Sequence, residues 1–133
     1  MMGFAGSVDT NVLLRLLLRD IPEQHKAALE LVQKADGQLV VADVAIIEMV
    51  FVLHKGYSFT RKQIVQALEG LSSAAQLSCN AVVFERIIPE YLTHPKLSFE
   101  DCYLAALATH CEAEPVWTFD KKLANQIESA RLV

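Results

Sequence analysis

The sequence lacks any apolar run long enough to cross a membrane, because charged residues interrupt every hydrophobic stretch before ~20 residues are reached. It also has little that disfavours regular structure, with 5 glycines and 4 prolines among 133 residues. The amino-terminal segment shows no basic stretch followed by an apolar one, so no signal peptide is recognised. These absences predict a cytoplasmic globular protein with no membrane partner.

Cysteine and basic charge are scarce as well. The three cysteines, Cys79, Cys102 and Cys111, form no CxxC pair, and their odd number favours reduced thiols in the cytosol. The net charge of -4 gives no general attraction to nucleic acid. Any contact with nucleic acid must therefore come from a local basic patch or from a bound metal ion.

Several common catalytic motifs are missing. The 4 histidines form no HExxH, the 5 glycines form neither a P-loop nor a GxGxxG turn, and no GxSxG is present. The sequence therefore excludes the zinc, nucleotide-binding and serine-hydrolase sites that those motifs build.

What the sequence does contain is apolar material, at 53% of its residues, which is enough for a core. No linker or repeat is visible, so we expect one domain over residues 1–133. Short strands are predicted at 4–8, 38–42, 76–78, 115–118 and 130–133, with Trp117 in the core. Helices are predicted at 10–19, 22–35, 43–55, 61–71, 80–93, 98–111 and 121–127.

The order of these elements decides the fold class. Asp43, Thr60 and Ser98 are expected to cap their helices, and Gly56 is expected to close the helix that Asp43 begins. Short apolar strands that alternate with helices predict an α/β protein whose parallel sheet is covered on both faces.

Four acidic residues border or interrupt apolar segments: Asp9, Glu48, Asp101 and Asp120. In an open parallel sheet, strand carboxyl ends and helix N-termini face the same edge, so these acids can converge. Buried carboxylates are costly unless they are paired or bind a metal, and a divalent ion offsets their mutual repulsion. Because oxygen ligands suit Mg²⁺ or Mn²⁺ and no calcium loop is present, the pattern predicts a site for one of those ions.

A structural explanation also exists for three of the acids. Asp9 and Asp120 each precede a predicted helix, and Ser98 with Asp101 matches a capping box. Glu48 is the hardest to explain in this way, although a structural arginine partner stays open. Its neighbours at helical spacing are all apolar, where a solvated face would carry polar residues: Val44, Ala45, Phe51 and Val52.

Four segments resemble the successive motifs of PIN-domain proteins. They are Val-Asp-Thr-Asn-Val-Leu at 8–13, Ile-Glu-Met-Val at 47–50, Phe-Glu-Asp-Cys-Tyr-Leu-Ala-Ala-Leu-Ala at 99–108 and Thr-Phe-Asp-Lys-Lys-Leu at 118–123. Within that family, the short chain is similar to VapC toxins of type II toxin–antitoxin pairs. The resemblance implies a three-layer α/β/α domain with a short, mostly parallel sheet of four or five strands, and a metal-dependent ribonuclease.

The resemblance also implies roles for individual residues. It makes Asp9, Glu48, Asp101 and Asp120 the catalytic, metal-binding set, with Asn11 and Thr118 as polar residues that support them. Asp9 and Asp101 would hold the principal Mg²⁺, and Asp120 would complete its shell or bind a second ion about 4 Å away. Glu48 would bind metal or orient the attacking water. Many relatives carry an acid where this chain has Ser98, which puts the second metal site in question.

Substrate and partners follow less directly. Lys121, Lys122 and Arg15 are the predicted contacts to the RNA backbone. The resemblance implies a VapB-like antitoxin, and the apolar helical faces at 13–18 and 64–71 suggest a surface for that antitoxin or for a homodimer. Two alternatives stay open: a phosphohydrolase with Asp9 as covalent nucleophile, and an inactive PIN-like interaction module.

Overall fold

The structure, a computed structural model, describes residues 3–133 in two compact units. The first unit ends at Asn80, and the second spans Ala81–Val133. Met1 and Met2, the first residues of the segment in which no signal peptide is recognised, lie outside the described residues. Residues 3–133 contain seven helices and five strands, and none of these helices has the length and apolarity of a membrane-spanning segment.

The first unit is built on a parallel sheet of three strands in the order β1-β2-β3. Gly6 lies opposite Leu39, and Leu39 lies opposite Leu77. Because β1 and β2 are parallel, both carboxyl ends face the edge where the following helices begin. The elements in chain order are β1 (Gly6–Val8), α1 (Thr10–Leu17), α2 (Pro22–Lys34), β2 (Leu39–Val41), α3 (Asp43–Tyr57), α4 (Arg61–Ser73) and β3 (Leu77–Ser78).

The apolar faces of α1, α3 and α4 are buried. Leu13, Met49 and Ile64 are each 0% exposed, and Leu68 is 2% exposed. Burial of such side chains contributes about 1.5–3 kcal/mol each to folding. The prediction of surplus apolar surface on residues 13–18 and 64–71 is therefore wrong for most of these positions, because the folded chain buries them.

A polar network joins α1 to the end of α3. The Arg15 guanidinium donates to the Asp20 carboxylate at 2.8 Å, and the Tyr57 hydroxyl donates to the same carboxylate at 2.7 Å. The hydrogen bond from Tyr57, followed by the positive charge of Arg15, lowers the pKa of Asp20. Arg15 is only 9% exposed, so its guanidinium stabilises this junction.

The second unit combines three helices with a two-stranded parallel sheet, in which Val116 lies opposite Ala130. Aromatic rings join the first two of these helices: the rings of Tyr91 and Phe99 meet edge to face, with centroids 5.3 Å apart. Its elements are α5 (Ala81–Thr93), α6 (Phe99–His110), β4 (Val116–Thr118), α7 (Lys121–Gln126) and β5 (Ala130–Leu132).

The predicted α/β class with short parallel strands is confirmed: the first unit contains a sheet of three parallel strands, and the second contains a sheet of two. Helix α3 departs from prediction at both ends. Ala42 occupies its N-cap, and Asp43 is the first helical residue. Gly56 stays inside the helix, which ends at Tyr57 and is followed by the C-cap residue Ser58 in a left-handed conformation with φ 56°. The single-domain assignment to residues 1–133 stays a prediction.

Candidate active site

Asp9 follows β1 directly and caps α1. Its Oδ1 accepts a hydrogen bond from the Val12 backbone N–H at 3.0 Å. This cap satisfies one of the amide groups that a helix N-terminus leaves without an intrahelical partner. The predicted capping role of Asp9 is therefore confirmed, and Asn11, two residues further on, is exposed on the same turn.

Thr10 joins the start of α1 to the middle of α3. Its hydroxyl lies 3.2 Å from the Ala45 carbonyl oxygen and 3.2 Å from the Glu48 Oε2 atom. Since a hydroxyl carries one hydrogen, it donates to one of these acceptors at a time. Thr10 is 9% exposed, and the bond places the Glu48 carboxylate beside the residue that follows Asp9.

Sequence reasoning missed Thr10. The available signal was a hydroxyl residue between two polar residues at a strand-to-helix turn, but nothing in the sequence pairs it with Glu48. The contact confirms, within the first unit, that the end of β1 and the first half of α3 share one edge.

The expectation that Glu48 is enclosed by apolar neighbours is wrong. Glu48 is exposed, and Val44 and Phe51 on the same helix are 70% and 56% exposed. Asp9 and Asp120 are exposed too, and Asp101 is half-buried. The cost of burying a charge therefore does not explain these acids. Apolar neighbours in sequence failed as a guide because α3 presents part of its apolar surface to solvent.

Asp101 forms the predicted capping box at the start of α6. The Ser98 N–H donates to Asp101 Oδ2 at 3.1 Å, and the Asp101 N–H donates to Ser98 Oγ at 3.1 Å. The reciprocal pair fixes the rotamer of the Asp101 side chain in the first turn of the helix. Ser98 thus has a structural role as the residue that caps α6.

Asp120 lies just beyond β4 and caps α7. Its Oδ1 accepts from the N–H groups of Lys122 and Leu123 at 2.9 and 3.3 Å. The Asp120 N–H in turn donates to the Thr118 Oγ1 at 2.9 Å. Thr118 therefore holds the backbone that presents the Asp120 carboxylate.

The three aspartates share one arrangement. Each commits one carboxylate oxygen to a helix cap, and among the described residues of its own unit the other oxygen accepts no hydrogen bond. Oxygen atoms of this kind are the ligands that Mg²⁺ and Mn²⁺ prefer. Within neither unit, over residues 3–133, do three or more His, Cys, Asp or Glu side chains gather as a metal site.

The predicted RNA contacts differ in environment. Lys121 and Lys122 are exposed directly after Asp120. Arg15 is engaged with Asp20 and Tyr57, an arrangement that favours a structural role for this residue over an RNA contact.

The family profile described as PIN domain matches residues 7–127. The matched range contains all four predicted acids together with Asn11 and Thr118. No curated protein matches the chain.

Proposed function

The chain belongs to the PIN domain family, and from this premise we propose that it is a metal-dependent endoribonuclease. The PIN domain is in general a nuclease fold, and its members commonly use divalent metal ions and bind RNA. The proposed reaction is the hydrolysis of phosphodiester bonds in RNA.

The observation that carries the proposal is the shared arrangement of Asp9, Asp101 and Asp120. A carboxylate held by a helix cap has lost its rotamer freedom before any ligand arrives, and its second oxygen is left for that ligand. We propose these three residues and Glu48 as the set that binds Mg²⁺ or Mn²⁺. Their chemistry fits the ion, because every donor is a hard anionic oxygen.

The residues of the chain have distinct proposed roles. Caps hold the three aspartates in place, Thr10 holds Glu48, and Thr118 supports Asp120. Glu48 binds the metal or orients the attacking water. When bound, the ion supplies Lewis-acid stabilisation of the phosphate and a water of lowered pKa. Asn11 is proposed as a further polar support beside Asp9.

Substrate binding is proposed for Lys121 and Lys122. Both are exposed next to Asp120, where an ammonium group reaches a backbone phosphate without reading its base. Arg15 is left out of this contact because its guanidinium is already engaged with Asp20.

The finer assignment is a VapC-like toxin in the cytoplasm with a VapB-like antitoxin as partner and a homodimer as its assembly. The motif resemblance supports it. Exposed apolar side chains such as Val44 and Phe51 on α3 provide surface for a protein contact. We expect expression of the wild-type protein to arrest bacterial growth and expression of Asp101→Asn to leave growth unaffected. A culture that grows normally while it expresses the wild type would contradict the toxin role.

The reaction is tested with purified protein and a single-stranded RNA. We expect cleavage that needs Mg²⁺ or Mn²⁺, stops in a chelator and leaves 5′-phosphate ends, because an activated water replaces the 2′-hydroxyl as nucleophile. Asp101→Asn should abolish cleavage, whereas Glu100→Gln, its exposed neighbour on α6, serves as the matched control.

Three outcomes would contradict the proposal. Products with 2′,3′-cyclic phosphate would exclude the metal-activated water. A trapped aspartyl-phosphate on Asp9 would favour the phosphohydrolase. A protein that binds no Mn²⁺ and loses nothing on substitution of the four acids would favour the interaction module.

A further inference from the structure

The second unit contains a cavity that the catalytic proposal does not use. It is open to solvent and has a volume of about 850 Å³, between α5 and α6 on one side and the chain from β4 to β5 on the other. This volume lies in the range of small-molecule sites, about 300–1,000 Å³. Its lining combines one large aromatic ring with several charged side chains, and it includes Trp117, Arg86 and Glu128.

Trp117 is the unexpected member of this lining. A tryptophan in a short strand was predicted to be core, yet it is 64% exposed and borders the cavity. The indole is the largest aromatic surface that a protein can offer to a planar ligand. An exposed ring at the mouth of a cavity therefore points to stacking.

The charged residues of the lining divide into engaged and available groups. Glu90 lies 3.0 Å from the His94 ring, and Glu114 accepts a hydrogen bond from Thr109 at 3.1 Å. Arg131 donates to the backbone carbonyls of Glu128 and Ala130.

Two charged side chains of the lining are available. Both residues are exposed, and among residues 3–133 neither the Arg86 guanidinium nor the Glu128 carboxylate has an ion-pair or hydrogen-bond partner. The cavity therefore presents one strong donor and one strong acceptor beside an aromatic face.

We propose that this cavity binds one unstacked base of the RNA substrate, with the base stacked on Trp117. Single-stranded RNA is read by stacking on aromatic rings and by hydrogen bonds to base edges. Base edges carry donors and acceptors together, which matches Glu128 as acceptor and Arg86 as donor. The inference rests on the proposed ribonuclease function, since it names where that enzyme grips its substrate.

Trp117 is itself the reporter for the test, because the chain contains 1 tryptophan. Each of the four nucleoside monophosphates is titrated into the protein in chelator, with correction for absorbance and with ribose 5-phosphate as the matched ligand without a base. We expect saturable quenching by nucleotides and none by ribose 5-phosphate. A short single-stranded RNA should displace the nucleotide.

Variants then test the two charged groups. Arg86→Ala and Glu128→Gln should each weaken nucleotide binding roughly tenfold, because each loses a charge-assisted hydrogen bond. Lys26→Ala and Glu69→Gln alter exposed charges of the first unit and should leave binding unchanged. Trp117→Ala, followed with labelled RNA, should weaken binding roughly five- to 140-fold.

Several results would overturn the inference: no saturable quenching by any nucleotide, equal quenching by ribose 5-phosphate, failure of RNA to compete, or wild-type binding in both charge variants. The two proposals fail separately. Metal-dependent cleavage without base-dependent quenching would contradict the base-binding proposal alone. Quenching and RNA competition without cleavage would contradict the ribonuclease proposal alone.

Discussion

Asp9 has a structural contact and a proposed catalytic role that two substitutions of one residue can separate. Its Oδ1 caps α1 through the Val12 N–H at 3.0 Å, and its other oxygen is the proposed metal ligand. Asp9→Asn keeps a carbonyl oxygen for the cap, because Asn and Asp are equivalent N-cap residues. Asp9→Ala removes the cap and the charge together.

The expected magnitudes follow from this geometry. Asp9→Asn loses only the attraction of a charge to the helix N-terminus, so the free energy of unfolding should fall by about 0.5 kcal/mol. Asp9→Ala also loses the cap, so its free energy of unfolding should fall by about 1.5 kcal/mol in total. The rate of RNA cleavage should fall at least about 100-fold in both variants. Substitution of residues that only hydrogen-bond to a metal ligand already lowers metal affinity or activity roughly 10–100-fold.

Urea unfolding followed by circular dichroism in chelator gives the stabilities, and RNA cleavage with Mn²⁺ titration gives the function. Asp36→Asn, an exposed aspartate in a turn of the same unit, is the matched control and should resemble wild type. Cleavage by Asp9→Asn at the wild-type rate would refute the proposed role. Equal stability of the Asn and Ala variants would refute the cap.

Three further predictions concern other contacts. Thr10→Val should lower the unfolding free energy by about 1 kcal/mol and slow cleavage, because the Glu48 carboxylate loses its hydrogen bond to the Thr10 hydroxyl. Thr10→Ser keeps the hydroxyl and should do neither, and equal denaturation midpoints for the wild type and Thr10→Val would contradict this. The lowered pKa of Asp20 means that its network stabilises the fold fully above the ordinary aspartate pKa, and that this stabilisation disappears as pH falls through the lowered value. The stability of Asp20→Asn should therefore approach that of wild type only in strong acid, and a gap independent of pH would count against the network. The double variant Lys121→Ala with Lys122→Ala should have a shallower slope when the logarithm of the RNA binding constant is plotted against the logarithm of the salt concentration, by about 0.7 per lost phosphate contact. An unchanged slope would contradict a phosphate contact for both lysines.

The predicted elements agree closely with the structure because most of their signals are short in range. The caps of α1, α4, α6 and α7 depend on residues within three positions of one another, so the sequence alone identifies them. The same holds for the strands, whose predicted bounds are one or two residues wider than the observed ones.

Predictions that depended on burial were less successful. The apolar residues Val44, Phe51 and Trp117 were expected to be buried, and all three are exposed. Apolar composition favours burial on average, but which face of a helix or strand is covered depends on the neighbouring elements. The metal-binding role of the acids stays a prediction.

The amino-acid sequence alone was sufficient to predict the α/β class, the capped helices and the PIN family, because each depends on local patterns or on the order of short motifs. Other features appeared only in the folded chain. Thr10 reaches Glu48 across 38 positions, and Arg15 reaches Tyr57 across 42. The cavity beside Trp117 likewise depends on how α5, α6 and the β4–β5 sheet pack. Such contacts cannot be read from neighbouring residues, because packing of distant segments decides which side chains meet.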